Sequence, residues 1–242
     1  WDHVRQAEPV RNEVEVNRLP FPFDIRAGLE VWQAMYFEPG RFEPDPELDE
    51  LENRGAYLVE ALGHCGACHT PRDALGGPRE GMALRGAQVE AWYAPDISRG
   101  PDSVLASGWT RERLAAFLGG ETADQGHLAF GSMQEVVSGL AALEGEDRQA
   151  IAAYLLPEHR EDPGARDVAS RDAPDAAPDE APRGDDETHD PGAQVFSVHC
   201  ASCHGEDGRG APGVAASLVR NGGVISAQPS NVITVLLQGA AP

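Results

Sequence analysis

The side chains best suited to chemistry in this sequence are four thiols and the histidines beside them. Cys65 and Cys68 are two residues apart and followed at once by His69, within His64-Cys65-Gly66-Ala67-Cys68-His69-Thr70-Pro71-Arg72. The arrangement returns at Cys200-Ala201-Ser202-Cys203-His204, and the two pairs use every cysteine in the chain. Thiols at this spacing can add to the two vinyl groups of one haem. The histidine that follows then lies beneath the iron, where a ring nitrogen can bind it. Two simpler uses of Cys-x-x-Cys compete. Four thiolates could close a tetrahedral zinc site, but the pairs are far apart with an acidic stretch between them. A redox dithiol needs a strand leading into a helix, and neither pair has that context. Neither alternative explains a histidine directly after the second cysteine in both copies. The motifs predict two covalently bound haem c groups, with His69 and His204 as proximal iron ligands.

What sits on the other face of each iron sets the chemistry. A thioether stabilises Fe(II) over Fe(III) and suits electron transfer, whereas an open position suits binding or catalysis. Of the three methionines, Met133 in Phe130-Gly131-Ser132-Met133 lies in an expected loop between two helical patterns, the usual place for such a ligand. Met82 is too close to the first motif, and Met35 precedes the domain. His127 is the rival, and filling the core is the ordinary use of a methionine. After His204 comes neither a methionine nor another histidine. The second haem therefore has no evident distal ligand in this chain. A backbone carbonyl should hold the ring N–H of each proximal histidine. Pro212 is the candidate for His204, and Pro78 or Pro71 for His69. Arg72 and Trp92 could reach haem propionates, with a solvated arginine and a core tryptophan as equal alternatives.

The elements around these residues read as helices. Residues 1–47 are rich in proline and acid, with one short helical piece whose Ile25, Leu29 and Trp32 share a face. They are expected to form an arm packed across the following domain. Residues 48–156 read as a small all-helical haem domain. Its first helix runs from Leu48 to Leu62, with Gly55 where another helix could come close. Residues 70–109 are loop-rich. Thr110 can cap a helix carrying Leu114, Phe117 and Leu118, stopped by Gly119-Gly120. Asp147 precedes a last helix with Ile151, Tyr154 and Leu155 on one face. Residues 157–190 hold twelve Asp or Glu against four Arg. That composition cannot bury a core and reads as a disordered linker. Residues 191–242 open a second, shorter haem domain. There Gly192, Val195 and Phe196 precede Cys200 much as Gly55, Leu58 and Val59 precede Cys65, a divergent internal repeat. It ends after the apolar, helix-like run Val232 to Leu237. The fold class is all-α: two small haem domains, the second incomplete, joined by an acidic linker.

Composition limits the partners. The net charge is −21, and all 19 basic residues are arginine. Nothing so acidic can neutralise a nucleic-acid backbone. No apolar run is long enough to span a membrane, and the chain starts at Trp1 with no signal peptide in view. Haem c is assembled outside the bacterial cytoplasm, so a periplasmic location is expected, with this chain as a mature or partial segment.

The stretch from Arg54-Gly55-Ala56-Tyr57-Leu58-Val59 through Cys65, Cys68 and His69 to Arg72 resembles the multihaem cytochrome c subunits of bacterial membrane-bound dehydrogenases. These serve quinoprotein alcohol dehydrogenases, flavin-dependent gluconate and sugar dehydrogenases, and some molybdenum hydroxylases. The resemblance continues through Leu19-Pro20-Phe21-Pro22-Phe23, Ala94-Pro95-Asp96-Ile97-Ser98, Gly131-Ser132-Met133-Gln134-Glu135-Val136-Val137 and Cys200-Ala201-Ser202-Cys203-His204-Gly205. It implies cytochrome c-type domains without a substrate pocket of their own. Electrons would come from a dehydrogenase catalytic subunit with a quinone, flavin or molybdenum cofactor. They would leave to membrane quinone or another cytochrome, and the full complex would be membrane-associated. It also implies a further haem module ahead of Trp1 and a distal methionine in a Met-Pro segment beyond Pro242. Two other classes remain open at this point. One is a dihaem enzyme such as a thiosulfate dehydrogenase or peroxidase-like protein, and the other is a free periplasmic shuttle. The first needs acid–base groups above an open iron, and the charged side chains after His204 (Glu206, Asp207, Arg209 and Arg220) lie beside the motif or alone.

Overall fold

A computed structural model describes residues 5–13, 19–22, 24–106, 108–121, 128–157, 191–211, 215–219, 221–225 and 228–239. His127, Pro212, Arg220 and the acidic stretch 158–190 lie outside the described residues. Contacts divide the chain between Arg41 and Phe42 into two units. In the first, α1 (Ala27–Tyr36) sets Trp32 against Tyr36 with ring centroids 5.0 Å apart, and none of its side chains is buried.

The second unit holds both Cys-x-x-Cys-His motifs. Its elements run α2 (Glu50–Ala56), α3 (Gly66–His69), β1 (Ala87–Val89), β2 (Trp92–Ala94), α4 (Arg111–Leu118), α5 (Ser132–Ala141) and α6 (Gly145–Leu155). They continue with α7 (Pro191–His199), α8 (Ala201–His204), α9 (Gly222–Ile225) and α10 (Ser230–Gln238). The start of α2 is fixed by side chains. Asp49 and Glu52 form a reciprocal capping box, worth about 1 kcal/mol. Asn53 accepts the N–H of Asp45 on Oδ1 at 2.7 Å and donates from Nδ2 to the Asp45 carbonyl at 2.9 Å. After Ala56 the helix widens into a π turn, Tyr57–Leu62. A π turn re-aims the chain that follows it. Here it leads to Cys65, whose N–H meets the Val59 carbonyl at 3.0 Å.

α4 and α6 close over this segment. Thr110 caps α4 by accepting the Arg113 N–H, and Gly119 ends it, as the sequence pattern predicts. α6 crosses α2 at Gly55, where any side chain would collide with the backbone of Ala150. That is the close helix approach expected there. Arg54 forks onto both carboxylate oxygens of Asp147 at 2.8 and 3.0 Å. Asp147 does this from inside the first turn of α6, so the helix begins ahead of it, at Gly145. Leu58, Val59, Leu105, Leu114, Leu118, Ile151 and Leu155 fill the core between these helices.

Three features depart from the sequence reading. Among the described residues the fold is helical with one two-stranded antiparallel sheet, and β1 and β2 lie inside the stretch read as loop. Strands of three residues are too short for alternation to register. Their turn, Glu90-Ala91, lacks the usual glycine or asparagine signal, although Glu90 takes a φ of +52°. Met133 sits in the first turn of a helix, α5, not in a loop. The apolar run near the C-terminal end does form a helix, but α10 buries Thr234. Its Ile233, Leu236 and Leu237 are 50, 72 and 80 % exposed.

Candidate haem-attachment sites

The first site is built on one turn of helix. The N–H of His69 bonds the Cys65 carbonyl at 3.0 Å, and that of Cys68 bonds the same oxygen at 3.3 Å. Both thiols and the imidazole therefore leave a single short element. His64, at a φ of +49°, makes the sharp bend that starts it. His69 is 8 % exposed, and its Nδ1 meets the Pro95 carbonyl at 2.7 Å. A carbonyl can only accept, so Nδ1 carries the proton and Nε2 keeps its lone pair. Burial holds the imidazole below its usual range, against the opposing pull of the Pro95 bond and of Asp96. Burial likewise pushes the Cys65 thiol up. The residue holding His69 is thus Pro95. Pro78 and Pro71 are engaged otherwise: Pro78 bridges Arg72, and the Pro71 carbonyl accepts from Arg79.

The second site repeats the construction. The N–H groups of His204 and Cys203 bond the Cys200 carbonyl at 3.0 and 3.2 Å. Nδ1 of His204 meets the Ala216 carbonyl at 2.8 Å. The expected partner, Pro212, lies outside the described residues, and Ala216 occupies the role. The likeness extends past the motif. The His69 carbonyl accepts the Gly86 N–H at 2.7 Å, and the His204 carbonyl accepts the Gly210 N–H at 2.7 Å. Both glycines take positive φ, +82° and +70°. The next residue then pairs with the residue just before the histidine's carbonyl partner: Ala87 with Ala94, and Ala211 with Ala215. The sequence reading misses this frame. Its trace is a Gly-Ala pair followed by an alanine just ahead of the carbonyl residue, too slight to notice without the histidine bond as a guide.

Met133 is half-buried and packs on the same core as Cys65. Its helix starts at Gly131, in a conformation (φ +54°) open mainly to glycine. A Cβ on Gly131 would lie 2.6 Å from the ring of Trp92. Trp92 thus braces the loop that leads to Met133. Arg72 is spent on backbone, donating to the carbonyls of Gly76 at 2.8 Å and Ala67 at 3.3 Å. Met82 is 39 % exposed, and Met35 belongs to the first unit.

These donors fit a covalently attached haem. Each site offers two unpaired thiols within one helical turn. Each also offers an imidazole whose Nδ1 is already used, leaving Nε2 for iron.

Comparison with known proteins finds cytochrome c relatives. The cytochrome c family model matches residues 189–233, across the second motif. One of the nicotinate dehydrogenase subunits of Pseudomonas putida is 36% identical over 99% of this chain and 19% of its own length. The fructose dehydrogenase cytochrome subunit of Gluconobacter japonicus is 33% identical over 98% of this chain and 50% of its own. The gluconate 2-dehydrogenase cytochrome c subunit of Pantoea cypripedii is 32% identical over 96% of this chain and 53% of its own. The chain spans about half the length of the two cytochrome subunits, and a smaller share of the nicotinate protein. By its motifs and its relatives, the chain is similar to the cytochrome c subunits of dehydrogenases, and residues 189–233 match the cytochrome c family.

Proposed function

We propose that this chain holds two haem c groups in two helical modules and relays electrons from a dehydrogenase catalytic subunit to membrane quinone or another cytochrome. One group is bound by Cys65, Cys68 and His69, with Met133 as distal ligand. The other is bound by Cys200, Cys203 and His204. The observation that carries this reading is the duplicated construction, a thiol pair and a histidine on one turn with the ring fixed by a carbonyl at 2.7 or 2.8 Å. When bound, the haem supplies an iron that takes up and gives up one electron.

The chain's own residues do the rest. The cysteines would hold the group in place through two covalent bonds. The Pro95 and Ala216 carbonyls hold each ring in the tautomer that presents Nε2 and make that nitrogen a better donor. The apolar core behind Cys65 and Met133 excludes water from that side and favours the less charged, reduced state. The thioether of Met133 acts in the same direction. The natural setting is the periplasm, in association with a membrane complex.

The intact mass tests the count, since it should exceed that of the polypeptide by two haems that acid–acetone does not extract. Cys65→Ser or Cys200→Ser should impair one site only. Met133→Ala should remove the weak red absorption band of an iron–thioether bond and lower the first haem's potential. A protein silent in the visible region would end the reading. Loss of the red band on replacing His127 but not Met133 would move the ligand.

A further inference from the structure

We propose that Asn231, on a helix of the second motif's segment, is a positioning residue for the first haem site. The inference rests on the ligation proposed above. Strand β2 pairs with β1 in the register Gln88↔Tyr93 and Val89↔Trp92. Asn231 holds the Tyr93 backbone at both ends. Its Oδ1 accepts the Tyr93 N–H at 2.8 Å, and its Nδ2 donates to the Tyr93 carbonyl at 2.9 Å. A carboxamide carries the same donor and acceptor as a peptide group, so one side chain stands in for a third strand. Two neighbours on α10 reinforce the grip. Thr234, 5 % exposed, donates to the Ala91 carbonyl at 2.8 Å, and Ser230 meets Gln88 at 3.2 Å. This explains why α10 turns its polar residues inward.

The peptide that Asn231 holds lies between the two supports of the first site. On one side is Trp92, which braces Gly131 at the start of the Met133 helix. On the other is Pro95, whose carbonyl fixes the His69 ring. A shift of Tyr93 moves both supports, because three consecutive peptide bonds join Trp92 to Pro95. Asn231 touches neither iron ligand and acts only through this strand. The second module thereby helps set the coordination of the first haem.

The test uses the haem-loaded full chain and three readouts: exchange of the Tyr93 amide hydrogen, the red iron–thioether band, and the two haem potentials. Met133→Ala marks the first haem's signals. Asn53→Ala is the control, since Asn53 makes the same two-bond grip on Asp45 away from the hairpin. Asn231→Ala should speed exchange at Tyr93 about tenfold, the loss of roughly one hydrogen bond's worth of protection. It should also weaken the red band and lower the first haem's potential by more than the second's. Asn231→Asp keeps an acceptor for the Tyr93 N–H but sets a carboxylate against the Tyr93 carbonyl in place of a donor, so it should weaken the band and lower the first potential while speeding Tyr93 exchange less than Asn231→Ala does. Asn53→Ala should leave the band and both potentials in place. Faster Tyr93 exchange with an unchanged band and first potential would overturn the proposal, as would unchanged exchange. A band indifferent to Met133→Ala would overturn the ligation itself, and this inference with it.

Discussion

The two Cys-x-x-Cys-His sites share a frame and differ in what hangs from it. In both, the histidine's carbonyl takes the N–H of a left-handed glycine, and the next residue opens a short antiparallel pair that ends at the carbonyl holding the ring. That carbonyl lies 26 residues after His69 but only 12 after His204. In the second site the pair is a single bridge, Ala211 to Ala215. In the first it has grown into a hairpin with β1 and β2. The frame is thus enough to hold a histidine ring by its Nδ1. The extra length does other work: Trp92 braces Gly131 at the start of α5, and Tyr93 meets Asn231 on α10. The His69 ring is buried, whereas His204 is only half-buried, in keeping with the larger cover over the first site.

The strongest test of the shared frame is to put a side chain on each glycine. At Gly86 a Cβ would lie 2.8 Å from the Asp96 nitrogen, and at Gly210 it would strike the carbonyls of Ala215 and Ala216. Backbone cannot swing aside, and the positive φ adds strain. Gly86→Ala and Gly210→Ala should each cost on the order of 3 kcal/mol, seen as a lower denaturation midpoint and misligated proximal histidine at the mutated site alone. Tolerance of one substitution but not the other would show that the frames are not equivalent.

A smaller effect should separate the sites. Gly131 and Trp92 belong only to the first, so Gly131→Ala should disturb that site and spare the second. The cost should be about 2 kcal/mol, from strain and overpacking against the indole. Removing the indole first should relieve it: in a Trp92→Ala background, Gly131→Ala should cost about 1 kcal/mol less. Chemical unfolding of the two single variants and the double variant measures this coupling. Additive costs would mean that the contact does not brace the Met133 loop.

Much of this is legible in the sequence, for reasons visible residue by residue. A haem attached through two thiols would demand fixed spacing, so Cys65, Cys68 and His69 stand out as candidates. The Thr110 cap and the Gly119 stop are local, and their signals sit next to the elements they bound. Gly55 stands out because a glycine inside a helix needs a reason, and Ala150 supplies it. The carbonyls of Pro95 and Ala216 are not legible, because every residue has a carbonyl and only the chain path selects one. Proline draws attention to Pro212, Pro78 and Pro71 for its stiffness, a property that the bond does not require. Asn231 is hidden for a similar reason. It lies at the edge of an apolar run, and only the open edge of β2 gives its amide a purpose.

The smallest expected difference between the sites is a response to alkali. Tyr154, on α6, donates its phenol hydrogen to Glu60 in the π turn that leads to Cys65. Burial first, and then this bond and the charge of Glu60, push the phenol up to about 12, with Arg99 opposing. The second site's segment, residues 191–242, contains no tyrosine. The folded first module therefore keeps a proton that the unfolded chain gives up near the ordinary value of 10.0. A group with a raised pKa contributes its stability fully below the unfolded value and loses it as pH climbs toward the folded one. The window thus runs from pH 10 to about 12. Because Tyr154 is only half-buried, solvent screening reduces the effect to about 1 kcal/mol. Unfolding followed across that window should show the first site weakening while the second holds. Tyr154→Phe should flatten the slope and leave the first module about 1 kcal/mol weaker at neutral pH, from the lost hydrogen bond. Equal alkaline weakening of both sites, or a slope that survives Tyr154→Phe, would show that the difference does not come from this phenol.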